Sequence, residues 1–217
     1  MDIFVEFSPT ENTQLCEIMA RHGSDKGAPY SKGHHNYTAY YYNLFNNIKN
    51  NKLRIFELGL GTNYTDVPSN MGINGKPGAS LRGWKEFFPN SDIFGADIDR
   101  RVLFNEDGIK TYYCDQTNKN AIANLWSNPD LSENFDIIID DGLHDIRANK
   151  TFFENSCHKL NVGGVFIIED CHRYNRNNFL MLLNEWKVKY PNFTFWLNKL
   201  EHTNTHDNDL VVIKRDY

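Results

Sequence analysis

The sequence predicts an α/β fold, with a doubly wound, mostly parallel sheet and helices on both of its faces. Two apolar runs, at 135–140 and at 165–168, have no polar alternation, which is typical of strands that are covered on both faces. Segments with helical periodicity separate these strands from the others, as in chains that form parallel sheets. We expect seven strands, of which the C-terminal one runs antiparallel to its neighbours.

The first 50 residues predict two helices, at 9–22 and from about 34 to 50, which a polar loop connects. The second helix is rich in aromatic residues, and we expect these to pack against the core. The loop and its edges carry side chains that a lid over a cofactor could use: Asp25, Lys26, His34 and Tyr37. A lid at 24–37 and a helix-capping loop both fit this pattern.

A strand at 53–56 leads into a pattern of one glutamate and two glycines, Glu57-x-Gly59-x-Gly61. Glycine lets the backbone turn tightly and approach a ligand, and the carboxylate can bind a ribose or an amine. The pattern is therefore typical of sites for nucleotide-like ligands, although a simple strand-to-helix turn would give the same spacing. A long loop rich in Gly, Pro and Asn follows, and Ser80 is the expected N-cap of the next helix.

The remaining segments alternate between strand and helix. Further strands are predicted at 93–96, 109–114, 135–140, 165–168, 193–197 and 209–214. Helices are predicted at 80–88, 121–126, 145–160 and 178–190. Because no repeat or second core is evident, we expect the N-terminal segment 1–50 and the residues 51–217 to form one domain.

Acidic residues follow several of these strands, at the carboxyl ends where open α/β sheets bind ligands. The interval from Glu57 to Asp97 suits a carboxylate that holds a ribose. Asp115 and Gln116 end the next strand and could contact an adenine edge. Asp140 ends the strand after that, and we leave its role open between a cofactor contact and a helix cap.

A denser cluster follows the fourth and fifth strands, where Asp141 and His144 end one strand and Glu169 and Asp170 end the other. If the strands are parallel neighbours, three carboxylates and an imidazole converge, which is costly without a cation or a reaction to serve. Oxygen ligands favour Mg²⁺, Ca²⁺ or Mn²⁺ over zinc. An imidazole, with an unperturbed pKa of about 6.5, can accept a proton near neutral pH. The alternative is a surface histidine beside ordinary turn carboxylates.

Several motifs within 21–170 carry a resemblance to a known family. They are GSDKG at 23–27, HNYT at 35–38, FELGLG at 56–61, GASLRGW at 78–84, GADI at 95–98, IDDGLH at 139–144 and IED at 168–170. On these motifs the chain resembles the macrocin and mycinamicin sugar O-methyltransferases, a family that includes enzymes labelled cephalosporin hydroxylase. They belong to the class I S-adenosylmethionine-dependent methyltransferases. The pairing of D-D-G-x-H with E-D is the specific part of the resemblance.

The resemblance implies a Rossmann-like catalytic domain at 51–217, with a helical lid segment at 1–50, that transfers a methyl group from S-adenosylmethionine to a hydroxyl of a sugar or glycoconjugate. The residues implied to bind the cofactor are Glu57, Gly59, Gly61, Ser80, Asp97, Asp115 and Asp140, with Glu57 towards its methionine part and Asp97 towards its ribose. The implied ligands of Mg²⁺, or of another hard divalent cation, are Asp141, Glu169 and Asp170. His144 would be the general base, with Asp141 beside it in catalysis.

Two departures from the family pattern bear on the acceptor. The glycine turn continues with Thr62 and Asn63 into a long insertion, and Leu143 stands where a small polar residue is common. Three other functions stay open: an N-methyltransferase acting on a small amine, a nicotinamide-dependent oxidoreductase, and a binding module whose carboxylates hold a structural ion. The chain lacks a standard G-x-G-x-x-G, which argues against the oxidoreductase.

Composition narrows the class of protein and its expected location. A net charge of -5 and the lack of a long Lys/Arg block argue against a nucleic-acid-binding protein. Four cysteines without paired spacing are typical of reduced thiols in a reducing compartment. The first six residues do not resemble a signal peptide, and no apolar run approaches the roughly 20 residues of a membrane span. We therefore expect a cytoplasmic protein that acts on a small-molecule or sugar-linked substrate, and the 14% aromatic content would suit a homo-oligomer interface.

Overall fold

The computed structural model describes residues 3–8, 11–27, 35–204 and 206–217. The strands within these residues are β1 (Phe4–Phe7), β2 (Arg54–Leu58), β3 (Asp92–Asp97), β4 (Asn105–Glu106), β5 (Ile109–Tyr113), β6 (Phe135–Asp140), β7 (Leu160–Cys171), β8 (Phe193–Leu200) and β9 (Asp209–Arg215). The helices are α1 (Gln14–His22), α2 (Tyr37–Phe45), α3 (Ala79–Phe87), α4 (Lys119–Trp126), α5 (Ile146–Ser156) and α6 (Arg176–Lys189).

The strands form one sheet in the order β1-β8-β9-β7-β6-β2-β3-β5-β4. The central strands β5, β3, β2, β6 and β7 are parallel, and β9 runs antiparallel to both of its neighbours. This confirms the predicted sheet with its antiparallel C-terminal strand. The described residues add two edge strands that the sequence did not predict, β1 and β4. Both are too short to show a periodic pattern, and they are strands because they pair with β8 and β5.

Neighbouring residues of a strand point to opposite faces of the sheet, so a continuous apolar run makes both faces apolar. Helices cover both of these faces. On one face, Phe56 and Ile138 pack with side chains of α4, α5 and α6. On the other, Ile55 and Ile139 pack with side chains of α1, α2 and α3. Of the aromatic residues of α2, Tyr37, Tyr41 and Phe45 are buried on this face, and Tyr40 and Tyr42 are partly buried against the same cluster. The N-terminal helices therefore cover the sheet beside α3.

The order of the strands reverses between β2 and β6, which is where open α/β sheets bind ligands. Leu58 lies opposite Asp140 in the register of these strands, so both end at the same level. The amide of Asp141 donates a hydrogen bond to the carbonyl of Leu58 at 2.8 Å. Gly59 has a φ of +95°, and a Cβ at this position would lie 1.8 Å from the carbonyl oxygen of Asp141. The junction of the two strands therefore requires glycine.

Some boundaries differ from the prediction. The first helix begins at Gln14 after its cap Thr13, and residues 9–10 lie outside the described part. The prediction that Ser80 is an N-cap is wrong, because α3 begins at Ala79 after Gly78. The Ser80 hydroxyl instead donates to a buried carboxylate, that of Glu57. In the part of the chain that the structure describes, no helix is both long and apolar enough to span a membrane.

Candidate active site

A cavity of about 340 Å³ opens at the carboxyl ends of the central strands. Most of the residues predicted for the site line it: Gly59, Gly61, Ser80, Asp97, Asp115, Asp141, His144 and Asp170. The other three, Glu57, Asp140 and Glu169, are buried behind its wall. The sheet thus brings together side chains that lie more than 100 residues apart in the sequence.

The glycine turn forms the floor of the cavity, and Asp97 holds it in place. One oxygen of Asp97 accepts a hydrogen bond from the amide of Leu60 at 2.8 Å, and the other accepts one from the amide of Asp99 at 2.8 Å. Burial raises the pKa of Asp97, although these two hydrogen bonds oppose the shift. At Gly61, where φ is +72°, an added Cβ would lie 2.0 Å from the sulfur of Met71. The turn therefore leaves room for the loop that crosses it.

Two residues predicted to bind the cofactor, Glu57 and Asp140, are buried hydrogen-bond acceptors beneath the turn and the 141–144 loop, and their cofactor role stays a prediction. Glu57 accepts hydrogen bonds from Ser80 and, at 2.5 Å, from the indole of Trp84. Asp140 accepts two from Gln116, at 2.6 and 2.8 Å. The amide oxygen of Gln116 in turn accepts from the backbone of the loop that carries His144. Burial raises the pKa of Asp140 to about 6. In this structure both carboxylates support the cavity wall.

Asp141, His144 and Asp170 converge at the mouth of the cavity. The Nε2 atom of His144 lies 3.2 Å from Oδ1 of Asp141 and 3.1 Å from Oδ2 of Asp170. One potential metal-ligating atom of each residue lies within 4.8 Å of the other two. Parallel pairing of β6 and β7 produces this convergence, as we expected from the sequence.

Glu169, the third carboxylate of the predicted cation site, lies behind this group. Its Oε1 accepts a hydrogen bond from the hydroxyl of Tyr41 at 2.5 Å, and its Oε2 accepts one from the ammonium of Lys26. Both oxygens are therefore engaged by protein donors in this arrangement. The ligand role of Glu169 stays a prediction.

Lys26 is the most important residue whose position the sequence did not predict. Its ammonium is buried between the carboxylates of Asp141 and Glu169, and it lies 3.9 Å from Oε1 of Glu57. Burial alone would lower the pKa of Lys26, but the surrounding carboxylates outweigh it and raise this pKa well above its usual value. The sequence pattern predicts only that Lys26 lies in a lid or a capping loop. The one signal for a closer role is its place in the GSDKG motif.

The electrostatics of the cluster are dominated by its carboxylates. Burial by itself would lower the pKa of His144, but Asp170 and Asp141 outweigh this effect and raise it to about 10. Burial would raise the pKa of Asp141, but Lys26 and His144 lower it to about 2. In this arrangement His144 is therefore an imidazolium that bridges two carboxylates, so that a positive charge lies where the acidic side chains meet.

Backbone strain is concentrated at the same place. Apart from glycines, three described residues have φ in the left-handed region: Ser69 at 54°, His144 at 58° and Asp170 at 52°. All three line the cavity. Strained conformations of this kind cost about 1–3 kcal/mol each and tend to persist at functional sites. Their position thus supports a functional role for the cavity.

The long insertion after the glycine turn forms the outer wall of the cavity. Residues 67–71 line it, and the amide of Met71 donates to the carbonyl of Thr62 at 2.8 Å. The hydroxyl of Ser69 donates to the carbonyl of Leu143 at 3.0 Å. The two features that depart from the family pattern, the insertion and Leu143, are therefore in contact. The N-terminal loop also reaches the cavity through Ser24–Lys26, whereas residues 28–34, with His34, lie outside the described part.

Comparisons with known proteins agree with the fold. No protein-family model matches the sequence. The chain is 32% identical over 130 residues to 8-demethyl-8-alpha-L-rhamnosyl tetracenomycin-C 2'-O-methyltransferase of Streptomyces olivaceus. The matched region covers 60% of this chain and 30% of that enzyme. It is 33% identical over 110 residues to mycinamicin VI 2''-O-methyltransferase of Micromonospora griseorubida, covering 51% of this chain and 25% of the relative.

Among solved structures, the chain is similar to the MycE methyltransferase of the mycinamycin biosynthetic pathway, which was determined in complex with Mg and SAH. The TM-score is 0.70 at 24% identity, over 94% of this chain and 55% of the other. The chain thus spans about a third or less of these two curated relatives, and about half of this structure. The chain has the Rossmann-like fold of class I S-adenosylmethionine-dependent methyltransferases, and its sequence resembles that of sugar O-methyltransferases.

Proposed function

We propose that the protein transfers a methyl group from S-adenosylmethionine to a hydroxyl of a sugar or glycoconjugate, with the aid of a hard divalent cation. The observation that carries the proposal is the convergence of Asp141, His144 and Asp170 beside a glycine-floored cavity at the switch point of the sheet. The names of the relatives support it, since these proteins are O-methyltransferases of a rhamnosyl tetracenomycin and of mycinamicin VI.

The cavity fits the cofactor by its chemistry. Gly59 and Gly61 line the floor, so backbone atoms would face a ligand there. Ser80, Asp97 and Asp115 offer polar atoms along the wall, and these would contact the ribose and the polar ends of the cofactor. Glu57 and Asp140 would act from behind by holding Ser80 and Gln116.

The cluster likewise fits Mg²⁺ or another hard divalent cation. Carboxylate oxygens are the ligands that such ions prefer, and Asp141 and Asp170 each direct one oxygen to the point where His144 now lies. These two carboxylates would hold the ion. Glu169, the third predicted ligand, would join them by releasing Lys26 or Tyr41. When bound, the ion supplies Lewis-acid stabilisation of the negative charge that develops on the acceptor oxygen.

The chain's own residues would orient the acceptor and move the proton. The hydroxyl oxygen attacks the sulfonium methyl in line, so the methyl passes from sulfur to oxygen and S-adenosylhomocysteine leaves. With a cation held by Asp141 and Asp170, the charges that raise the pKa of His144 would be offset, and its neutral imidazole would then take the hydroxyl proton. The wall at 67–71, with Leu143, would border the acceptor and exclude water from the reacting atoms. The cytoplasmic location and the homo-oligomer expected from the sequence stay predictions.

The test is methyl transfer from labelled S-adenosylmethionine to a panel of glycosides, with wild type and His144→Ala. Because general base catalysis contributes about 10²–10⁴-fold in rate, we expect the variant to lose at least about 100-fold while it still binds S-adenosylhomocysteine. Transfer at an undiminished rate in the variant would contradict the role of His144. Methylation of amines in place of hydroxyls would instead favour the N-methyltransferase.

A further inference from the structure

We propose that Lys26 and Tyr37 are positioning residues, which orient the carboxylates of Asp141 and Asp170 so that one oxygen of each faces the cavity. The inference rests on the proposed function and extends it to the N-terminal segment. That segment would then be part of the catalytic machinery in addition to covering the sheet.

The two oxygens of Asp141 have different environments. Oδ2 accepts a hydrogen bond from the ammonium of Lys26, a buried residue of the cavity wall. Oδ1 lies 3.2 Å from His144, on the side where a cation would bind. Lys26 therefore fixes which oxygen of Asp141 is directed towards His144.

Asp170 has the same division between an inner and an outer oxygen. Its Oδ1 lies 2.6 Å from the hydroxyl of Tyr37 and 3.5 Å from Nε2 of His35, and its Oδ2 lies 3.1 Å from His144. The hydroxyl of Tyr37 is also 2.8 Å from the carbonyl oxygen of Asp207, but a carboxylate is the stronger acceptor. The amide of Asp170 approaches the same hydroxyl at 3.3 Å. Tyr37 thus contacts the backbone and the carboxylate of this strained residue.

Both donors are themselves held rigidly. The carbonyl of Lys26 accepts from the hydroxyl of Thr38 at 3.1 Å, which ties the Lys26 turn to α2. The ring of Tyr37 is buried and stacks on His35 with 4.5 Å between the ring centroids. The second acceptor of the Lys26 ammonium, Glu169, is fixed by Tyr41 of the same helix. One short helix, α2, therefore carries Tyr37 and Tyr41 and, through Thr38, contacts the turn of Lys26.

Positioning and simple charge compensation predict opposite results when Lys26 is replaced. If the ammonium only offsets negative charge, its removal leaves a more negative cluster that binds a cation more tightly. If it orients Asp141, its removal lets the carboxylate rotate away and weakens binding. Outer partners of this kind are typically worth about 10–100-fold in metal affinity. We expect weaker binding.

The experiment is a calorimetric titration of the full chain with Mg²⁺ alone, and separately with S-adenosylhomocysteine. The main variant is Tyr37→Phe, with Tyr40→Phe as its matched control, because the Tyr40 hydroxyl bonds Asn198 away from the cluster. The second is Lys26→Met, matched to Lys150→Met, which breaks a lysine–carboxylate pair on the surface. We expect Tyr37→Phe and Lys26→Met to bind Mg²⁺ at least about tenfold more weakly than their controls.

For Tyr37→Phe, the affinity for S-adenosylhomocysteine should stay within about twofold of its control, which a general loss of structure would not allow. The inference is overturned if Tyr37→Phe binds Mg²⁺ as tightly as Tyr40→Phe, or if Lys26→Met binds it more tightly than wild type. Should Lys26→Met not fold, the tyrosine pair decides alone. If wild type itself binds neither ligand, the proposed function fails and the inference with it. If all variants bind Mg²⁺ and S-adenosylhomocysteine with the same affinities as wild type, the positioning role is refuted and the proposed function is not affected.

Discussion

Replacing Gly59 by alanine tests whether the junction of β2 and β6 is as tight as the structure shows. Two costs add at this position. A left-handed conformation costs an L-residue about 1–2 kcal/mol, and Gly59 has a φ of +95°. The new Cβ would also lie 1.8 Å from the backbone oxygen of Asp141. Backbone must then move, because no side-chain rotation can relieve the contact.

That movement would break the hydrogen bond from the amide of Asp141 to the carbonyl of Leu58, which is 2.8 Å long. A hydrogen bond of this kind contributes about 1 kcal/mol. We therefore expect Gly59→Ala to lower the free energy of unfolding by at least about 2–3 kcal/mol. It should also weaken Mg²⁺ binding, since the displaced backbone carries a proposed ligand.

Gly163→Ala is the matched control, because Gly163 has a φ of +82° and an added Cβ would meet no described atom within 4 Å. It should lose only the conformational cost, about 1–2 kcal/mol. Urea unfolding followed by circular dichroism measures both variants. Equal losses of stability in the two variants would refute the reasoning, since the contact with Asp141 would then have no effect.

Three further predictions concern the walls of the cavity. In Mg²⁺-free protein the pKa of His144 measured by NMR should be near 10, and it should fall when Mg²⁺ binds. This pKa lies above the value of about 6.5 in the unfolded chain. His144 therefore contributes its full stabilisation of the fold below a pH of about 6.5, and the contribution is lost as the pH rises towards 10. A pKa near 6.5 without Mg²⁺ would contradict the bridging arrangement. Asp140→Ala should lower the free energy of unfolding by about 1–3 kcal/mol, because it leaves the amide donors of Gln116 and Asn149 without their buried acceptor; no change in urea unfolding would argue against this support. Leu143→Ser should change the ranking of acceptors in the methyl-transfer assay while S-adenosylhomocysteine affinity stays within about twofold, and an unchanged ranking would place the acceptor elsewhere.

The sequence was sufficient to predict features that depend on strand pattern. The apolar run at 135–140 is β6 with the same bounds. The meeting of Asp141 with Asp170 followed from two parallel strands ending side by side. Such features are predictable because a period of two residues and the location of strand ends are local properties of the chain.

The features that the sequence did not predict depend on contacts between distant parts of the chain. Lys26 reaches carboxylates 115 and 143 residues away, and no local pattern marks a lysine that will be buried among acids. Serine favours the N-cap position, but α3 begins one residue before Ser80, whose hydroxyl donates to the buried carboxylate of Glu57 on a distant strand. The strand β1 exists only through its pairing with β8.

The most direct test of the central claim is calorimetric titration with S-adenosylmethionine, S-adenosylhomocysteine and NAD, with and without Mg²⁺, on wild type and Asp141→Ala. We predict that wild type binds both sulfur ligands and Mg²⁺, and that Asp141→Ala loses Mg²⁺ binding, because one of the two convergent carboxylates is gone. Binding of NAD alone would contradict the account and favour the oxidoreductase.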